Sequence, residues 1–175
     1  MAITYHAGRR IQGTSTDATA VTGGWKELGR TTLGSGNVNI SVSSLANKRY
    51  LMVLKSFSGS TGGNDRLNGD SGSNYAGRRS HNGGSDSTFA SVTAYPWANA
   101  GYTTTPNFIV ENISNKSNKE KLIQRNWVYQ GSSGAGTAPQ RLEVVAKWAN
   151  TSDAINAVSM YSQTSNWDSG SEVVV

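Results

Sequence analysis

Cysteine is absent from this 175-residue chain. That excludes a disulfide framework, thiolate catalysis and any zinc site that relies on sulfur. Histidine occurs only twice, so a nitrogen-rich metal site has little to draw on. Charged residues make up only 15% of the chain and proline occurs three times, which together with several well-patterned apolar stretches argues against disorder. No apolar run is long enough to cross a bilayer as a helix. The first residues, MAITYHAGRRIQG, lack the apolar core of a secretory signal, so the expected product is soluble and made in the cytosol of its cell. Long helices are not expected either, because Ser, Thr, Asn and 20 glycines are poor helix formers.

What is abundant suits short strands and turns. Gly and Asn supply left-handed backbone, and Ser, Thr and Asn bond to nearby peptide groups. The length fits one domain able to bury a core. Residues 1 to about 24 read as an N-terminal arm (1–24) and residues 25–175 as the domain. The arm includes a short strand candidate, Ala2 to His6, followed by a polar segment in which Ile11 and Val21 are isolated apolar points. Such an arm either frays or becomes ordered on another surface, with Tyr5, Arg9, Arg10 and Ile11 placed to meet a neighbouring subunit.

Within the domain, Asn37 to Val42 alternates with Val38, Ile40 and Val42 on one face, the pattern of a half-buried strand. Arg49 to Phe57 is more continuously apolar and reads as a central strand covered on both sides. Ser58 to Asn64 reads as a loop and Ser87 to Val92 as a weak strand. Phe108 to Ile113 and Leu122 to Tyr129 form a natural hairpin, with Ile123, Arg125, Trp127 and Tyr129 sharing a face. Arg141 to Trp148 buries Leu142, Val144, Ala146 and Trp148. Roughly ten short strands with frequent turn signals and no helix predict an all-β, antiparallel two-sheet sandwich, and a jelly roll fits that count best.

The stretch Arg66 to Gly84, RLNGDSGSNYAGRRSHNGG, concentrates polar side chains between two strand-like pieces. Leu67 and Tyr75 are placed to pin it to the core, and Arg78, Arg79 and His81 to make contacts between subunits. Catalysis is not expected. The 11 acidic residues are scattered rather than paired as glycoside hydrolysis needs. A triad of His81 with Asp86 or Asp70 and a serine can be drawn only because serine is so common, and no nucleophile-elbow motif is present. Asn64, Asp65, Asn68 and Asp70 offer oxygen ligands of the kind calcium takes, but Arg66 sits among them and the spacing is not that of an EF-hand. Asx turns are the simpler reading. No cofactor or bound metal is expected. Trp127 and Trp148 fall at inward strand positions, which leaves Trp97 and Trp167, both in loops, as sugar-stacking candidates. Trp97 belongs to an aromatic loop that either caps the core or anchors a partner. The formal net charge of +5 is dispersed, and no basic run with interleaved aromatics points to nucleic acid. No membrane partner is expected.

Several segments together resemble a group of small virion structural proteins of tailed bacteriophages: TYHAGRRIQGTSTD, GWKELGRTTLGS, RLNGDSGSNYAGRRSHNGG, VAKWAN and the closing GSEVVV. The resemblance spans nearly the whole chain. It implies a β-sandwich subunit, of jelly-roll type, located on the virion at the capsid surface and made in the host cytoplasm. The implied role is a capsid decoration or cement protein, a homotrimer seated over joints between major capsid protein subunits. Its contact residues are then expected among Tyr5, His6, Arg9, Arg10, Ile11, Arg78, Arg79, His81 and Trp97. The alternative is a tail or fibre module that binds host surface glycans.

Overall fold

A computed structural model describes residues 24–59, 62–96 and 105–175. The expected contacts at Tyr5, His6, Arg9, Arg10, Ile11 and Trp97 therefore lie outside the described residues. The described chain is an all-β, antiparallel two-sheet sandwich. Its strands are β1 (Arg30–Thr32), β2 (Asn39–Val42), β3 (Tyr50–Phe57), β4 (Gly63–Leu67), β5 (Tyr75–His81), β6 (Ser87–Val92), β7 (Tyr95–Pro96), β8 (Asn107–Ser114), β9 (Lys121–Tyr129), β10 (Gln140–Trp148), β11 (Val158–Ser162) and β12 (Glu172–Val174). The large sheet has eight strands in the order β1-β12-β3-β8-β9-β10-β5-β6, and the small one has four, β2-β11-β4-β7. This order establishes the sandwich and not the jelly-roll subtype.

The meander β8-β9-β10 is the centre of the large sheet, and the expected hairpin pairs Ile113 with Ile123 and Ile109 with Trp127. Strand β9 alternates without a break: Lys121, Ile123, Arg125, Trp127 and Tyr129 point inward, and Leu122, Gln124, Asn126 and Val128 outward. Strand β10 buries Leu142, Val144, Ala146 and Trp148 as its pattern predicts. The core between the sheets joins these side chains to Leu67 of β4, Val158 and Met160 of β11, and Tyr95 of β7.

Three expectations are corrected. Strand β3 is covered on one face only: Leu51, Val53, Lys55 and Phe57 are buried, whereas Tyr50 is 59% exposed. Val38 lies outside β2 and is exposed, so only Ile40 and Val42 carry that strand's buried face. Trp167 is not a free loop aromatic. It is fully buried, edge-on to Phe57 with ring centroids 5.1 Å apart, and the Asn37–Trp167 bridge holds its backbone.

The stretch from Arg66 to Gly84 is more than a turn, because it contains β5, which pairs with β10 along its whole length. Two Asn-Gly turns flank that strand. Asn68 and Gly69 have φ of 52° and 69°, and Asn82 and Gly83 have 51° and 76°. This left-handed backbone is the conformation these residues tolerate best. Leu67 and Tyr75 are buried as expected, and the Tyr75 hydroxyl accepts from Leu67 N at 3.0 Å while lying 3.2 Å from Asp70 O.

Candidate functional site

Strand alternation divides the residues grouped by sequence. Arg78 pairs in register with Val145 and lies on the outer face of the large sheet, where it reaches Asp86 at 3.4 Å. Arg79 and His81, in the opposite phase, face the side of the core beyond the small sheet's cover. Arg79 Nε donates to Ser87 Oγ at 3.2 Å. His81 stacks on Tyr129 and reaches Gln140 Oε1 at 3.0 Å. Asp86 thus serves Arg78 on the other face. Asp70 accepts from Trp148 Nε1, Asn74 Nδ2 and Gly72 N, so neither acid orients His81. The structure does not assemble the triad that can be drawn from the sequence.

The suggested calcium ligands also diverge. Asn68 Oδ1 accepts from Asn156 N and Ala157 N, and its amide donates to Ala154 O. Asp70 makes an Asx turn to Gly72 N at 2.8 Å, and Trp148 and Asn74 help to hold its carboxyl below the usual range although burial opposes them. Asp65 lies in β4 and faces the core. Among the described residues no group of three or more His, Cys, Asp or Glu side chains could hold a metal ion.

Asp65 instead belongs to a buried ionic cluster between the sheets. Lys55 of β3, Glu111 of β8 and Arg125 of β9 meet it from the large sheet, and all four side chains are sealed from solvent. Lys55 Nζ lies 2.9 Å from Asp65 Oδ1 and 2.7 Å from Glu111 Oε1. Arg125 Nε donates to Glu111 Oε1 at 2.8 Å, and its Nη2 reaches both Glu111 and Asp65. Tyr95 donates to Glu111 Oε2 at 3.2 Å, with its ring under the Arg125 guanidinium at 4.7 Å. Burial alone would raise the Glu111 pKa, but the charges of Arg125 and Lys55 outweigh it and hold the carboxyl below its ordinary range. Burial likewise opposes the Arg125 charge, yet Glu111 and Asp65 push its pKa up. Two cations and two anions balance, which is what permits their burial.

The alternation of β9 in the sequence puts Arg125 on one face with Ile123, Trp127 and Tyr129 but does not by itself join it to the other three. The signal was present. Lys55 follows Leu51 and Val53 at period two, Glu111 stands between Ile109 and Ile113, and Arg125 between Ile123 and Trp127. A charge in the apolar phase of a strand requires an opposite partner across the core.

The outer face of the large sheet is the other notable surface. In register, Tyr50, Ser114, Leu122 and Lys147 form one row across β3, β8, β9 and β10, and Met52, Asn112, Gln124 and Val145 the next. Tyr50, Leu122 and Val145 are 59%, 60% and 51% exposed. With Trp25 they line a groove of about 570 Å³ whose walls are mainly apolar. A polar depression of about 430 Å³ adjoins it, lined by Arg78, Asp86, Asn126 and Glu143. An apolar groove bordered by polar groups is the usual layout of a protein contact surface. No protein-family model, curated protein or solved structure matches this chain.

Proposed function

We propose that this protein is a tailed-phage virion structural protein, a capsid decoration or cement protein that binds the outside of the shell and stabilises it through contacts between subunits. The resemblance of its segments to small phage virion proteins supplies the class. One structural observation supports action by binding: the exposed groove of Trp25, Tyr50, Leu122 and Val145 on the outer face of the large sheet. On this reading the major capsid protein and further copies of the chain, as a homotrimer, are its partners. Each copy adds contact area, and multivalency around a symmetry axis multiplies the effect.

The test is particle-based. Purified capsids should carry the protein at a copy number comparable to that of the shell protein, and capsids assembled without it should break at lower temperature. Leu122→Glu with Val145→Glu should reduce occupancy at least tenfold while the isolated protein melts as before. A handful of copies per particle, located at the tail, would favour the glycan-binding alternative. Unchanged occupancy of the double variant would remove the groove from the contact surface.

A further inference from the structure

The buried ionic cluster holds a lysine nitrogen, a carboxylate with which it can condense, and a second carboxylate in contact with that nitrogen. Lys55 Nζ is 2.9 Å from Asp65 Oδ1 and 2.7 Å from Glu111 Oε1, with all three side chains fully enclosed. We propose that Lys55 and Asp65 condense to a side-chain amide, an isopeptide cross-link joining β3 of the large sheet to β4 of the small one, with Glu111 as the catalytic proton carrier.

The step balances within the cluster. Glu111 takes a proton from the Lys55 ammonium, and the freed amine attacks Cγ of Asp65. Glu111 passes that proton to one Asp65 oxygen, takes a second proton from the nitrogen, and delivers it to the same oxygen. The N–C bond forms, the C–O bond breaks, and one water leaves. Glu111 ends as it began. No electron moves, and no co-reactant is required. Arg125 Nη2 touches Asp65 Oδ2, the oxygen that stays, so a guanidinium meets the negative charge that grows there on attack. The fold holds the reacting groups in contact, which replaces a bimolecular encounter with an intramolecular one.

The charge inventory favours the same outcome. Before condensation the cluster encloses two cations and two anions, each carrying a desolvation penalty. Afterwards it encloses a neutral amide and one ion pair, Glu111 with Arg125, already joined through Arg125 Nε at 2.8 Å. Spacing alone is not enough. Lys147 and Glu120 are also 2.9 Å apart, but their side chains are 44% and 41% exposed, so water hydrates both ions and no group relays protons between them. Lys121 is buried but donates to the Ser117 and Asn150 carbonyls, and among the described residues it makes no ion pair.

Peptide masses decide the matter. A protease that cuts after lysine and arginine should release residues 50–66 from the natural-sequence protein as one piece, uncut at Lys55 and lighter by one water. Fragmentation should not separate Lys55 from Asp65. Recovery of residues 50–55 and 56–66 as separate peptides overturns the proposal, whether both have full mass or 56–66 alone has lost a water, as a cyclic imide at Asp65 would cause. Glu111→Gln should yield the two full-mass peptides. If that variant still loses the water, the role of Glu111 is refuted while the bond stands. The natural-sequence result is decisive even if the variant fails to fold.

Discussion

At the scale of single residues, the buried charges govern stability more than the exposed ones. Arg125→Met takes the guanidinium away from Glu111 and leaves the cluster with one excess negative charge, whether Lys55 and Asp65 are ionised or joined. That should cost on the order of 3–5 kcal/mol, read from chemical denaturation. A loss below about 1 kcal/mol would mean that water reaches the cluster. Glu111 also sets an acid limit. Its folded pKa lies below the ordinary 4.5, so the unfolded chain takes up this proton more readily than the folded one. The stability it contributes is complete above its unfolded pKa and is lost as pH falls through the folded value. Denaturation midpoints measured at stepped pH from neutral downward should fall more steeply for the natural sequence than for Glu111→Gln. Parallel slopes would remove Glu111 from the acid response. Tyr75 offers a neutral comparison. Tyr75→Phe removes the acceptor of Leu67 N and should cost about 1–3 kcal/mol, the range for a buried polar group left unsatisfied.

At the scale of elements, β5 is where physical chemistry and sequence pattern part. Its sequence, YAGRRSH, has no apolar alternation, because only its Tyr75 end lies under the small sheet and nothing obliges the rest to be apolar. The strand is fixed by pairing and by a glycine instead. A Cβ on Gly77 would lie 2.5 Å from the Val145 carbonyl oxygen and 2.6 Å from the Phe89 ring. Gly77→Ala should therefore loosen the β5-β6 edge and cost on the order of 1–3 kcal/mol, visible as faster amide exchange in β6 than in β8. Strands β8, β9 and β10 were legible because both sides of each are paired and one face is buried along their length, so apolar residues recur at period two. Trp167 was not legible, since its burial depends on an isolated bridge to Asn37 rather than on any repeating pattern. The ionic cluster was half legible. Arg125 shares a face with Ile123, Trp127 and Tyr129 in the sequence pattern, but Asp65 sits in a Gly-Asn-Asp run that resembles a loop, and only the pairing of β4 with β11 shows it to be a strand.

At the scale of the whole molecule, the two sheets are unequal, eight strands against four. Among the described residues the small sheet covers only part of the inner side of the large sheet, and no strand covers its outer side. The same alternation that builds the core sends the Arg78 side chain to the outer face and those of Arg79 and His81 to the inner margin, although both arginines border the polar depression beside the groove. Arg78→Ala should weaken binding through the outer groove, while Arg79→Ala should leave it unchanged, each measured as occupancy on particles. Equal losses would show that the contact wraps the β6 edge and reaches both faces. The N-terminal segment is a separate matter. Among the described residues the buried core runs from Ile40 to Val175; deleting residues 1–16 removes none of these, and the expected outcome is a nearly unchanged melting temperature of the domain. If the segment reaches a neighbouring subunit through Tyr5, Arg9, Arg10 and Ile11, the same deletion should release the protein from particles. Full occupancy of the truncated chain would assign binding to the sheet face alone. Partial release, deepened by adding Leu122→Glu, would mean that two weak contacts act together, as expected when tethered sites share one partner.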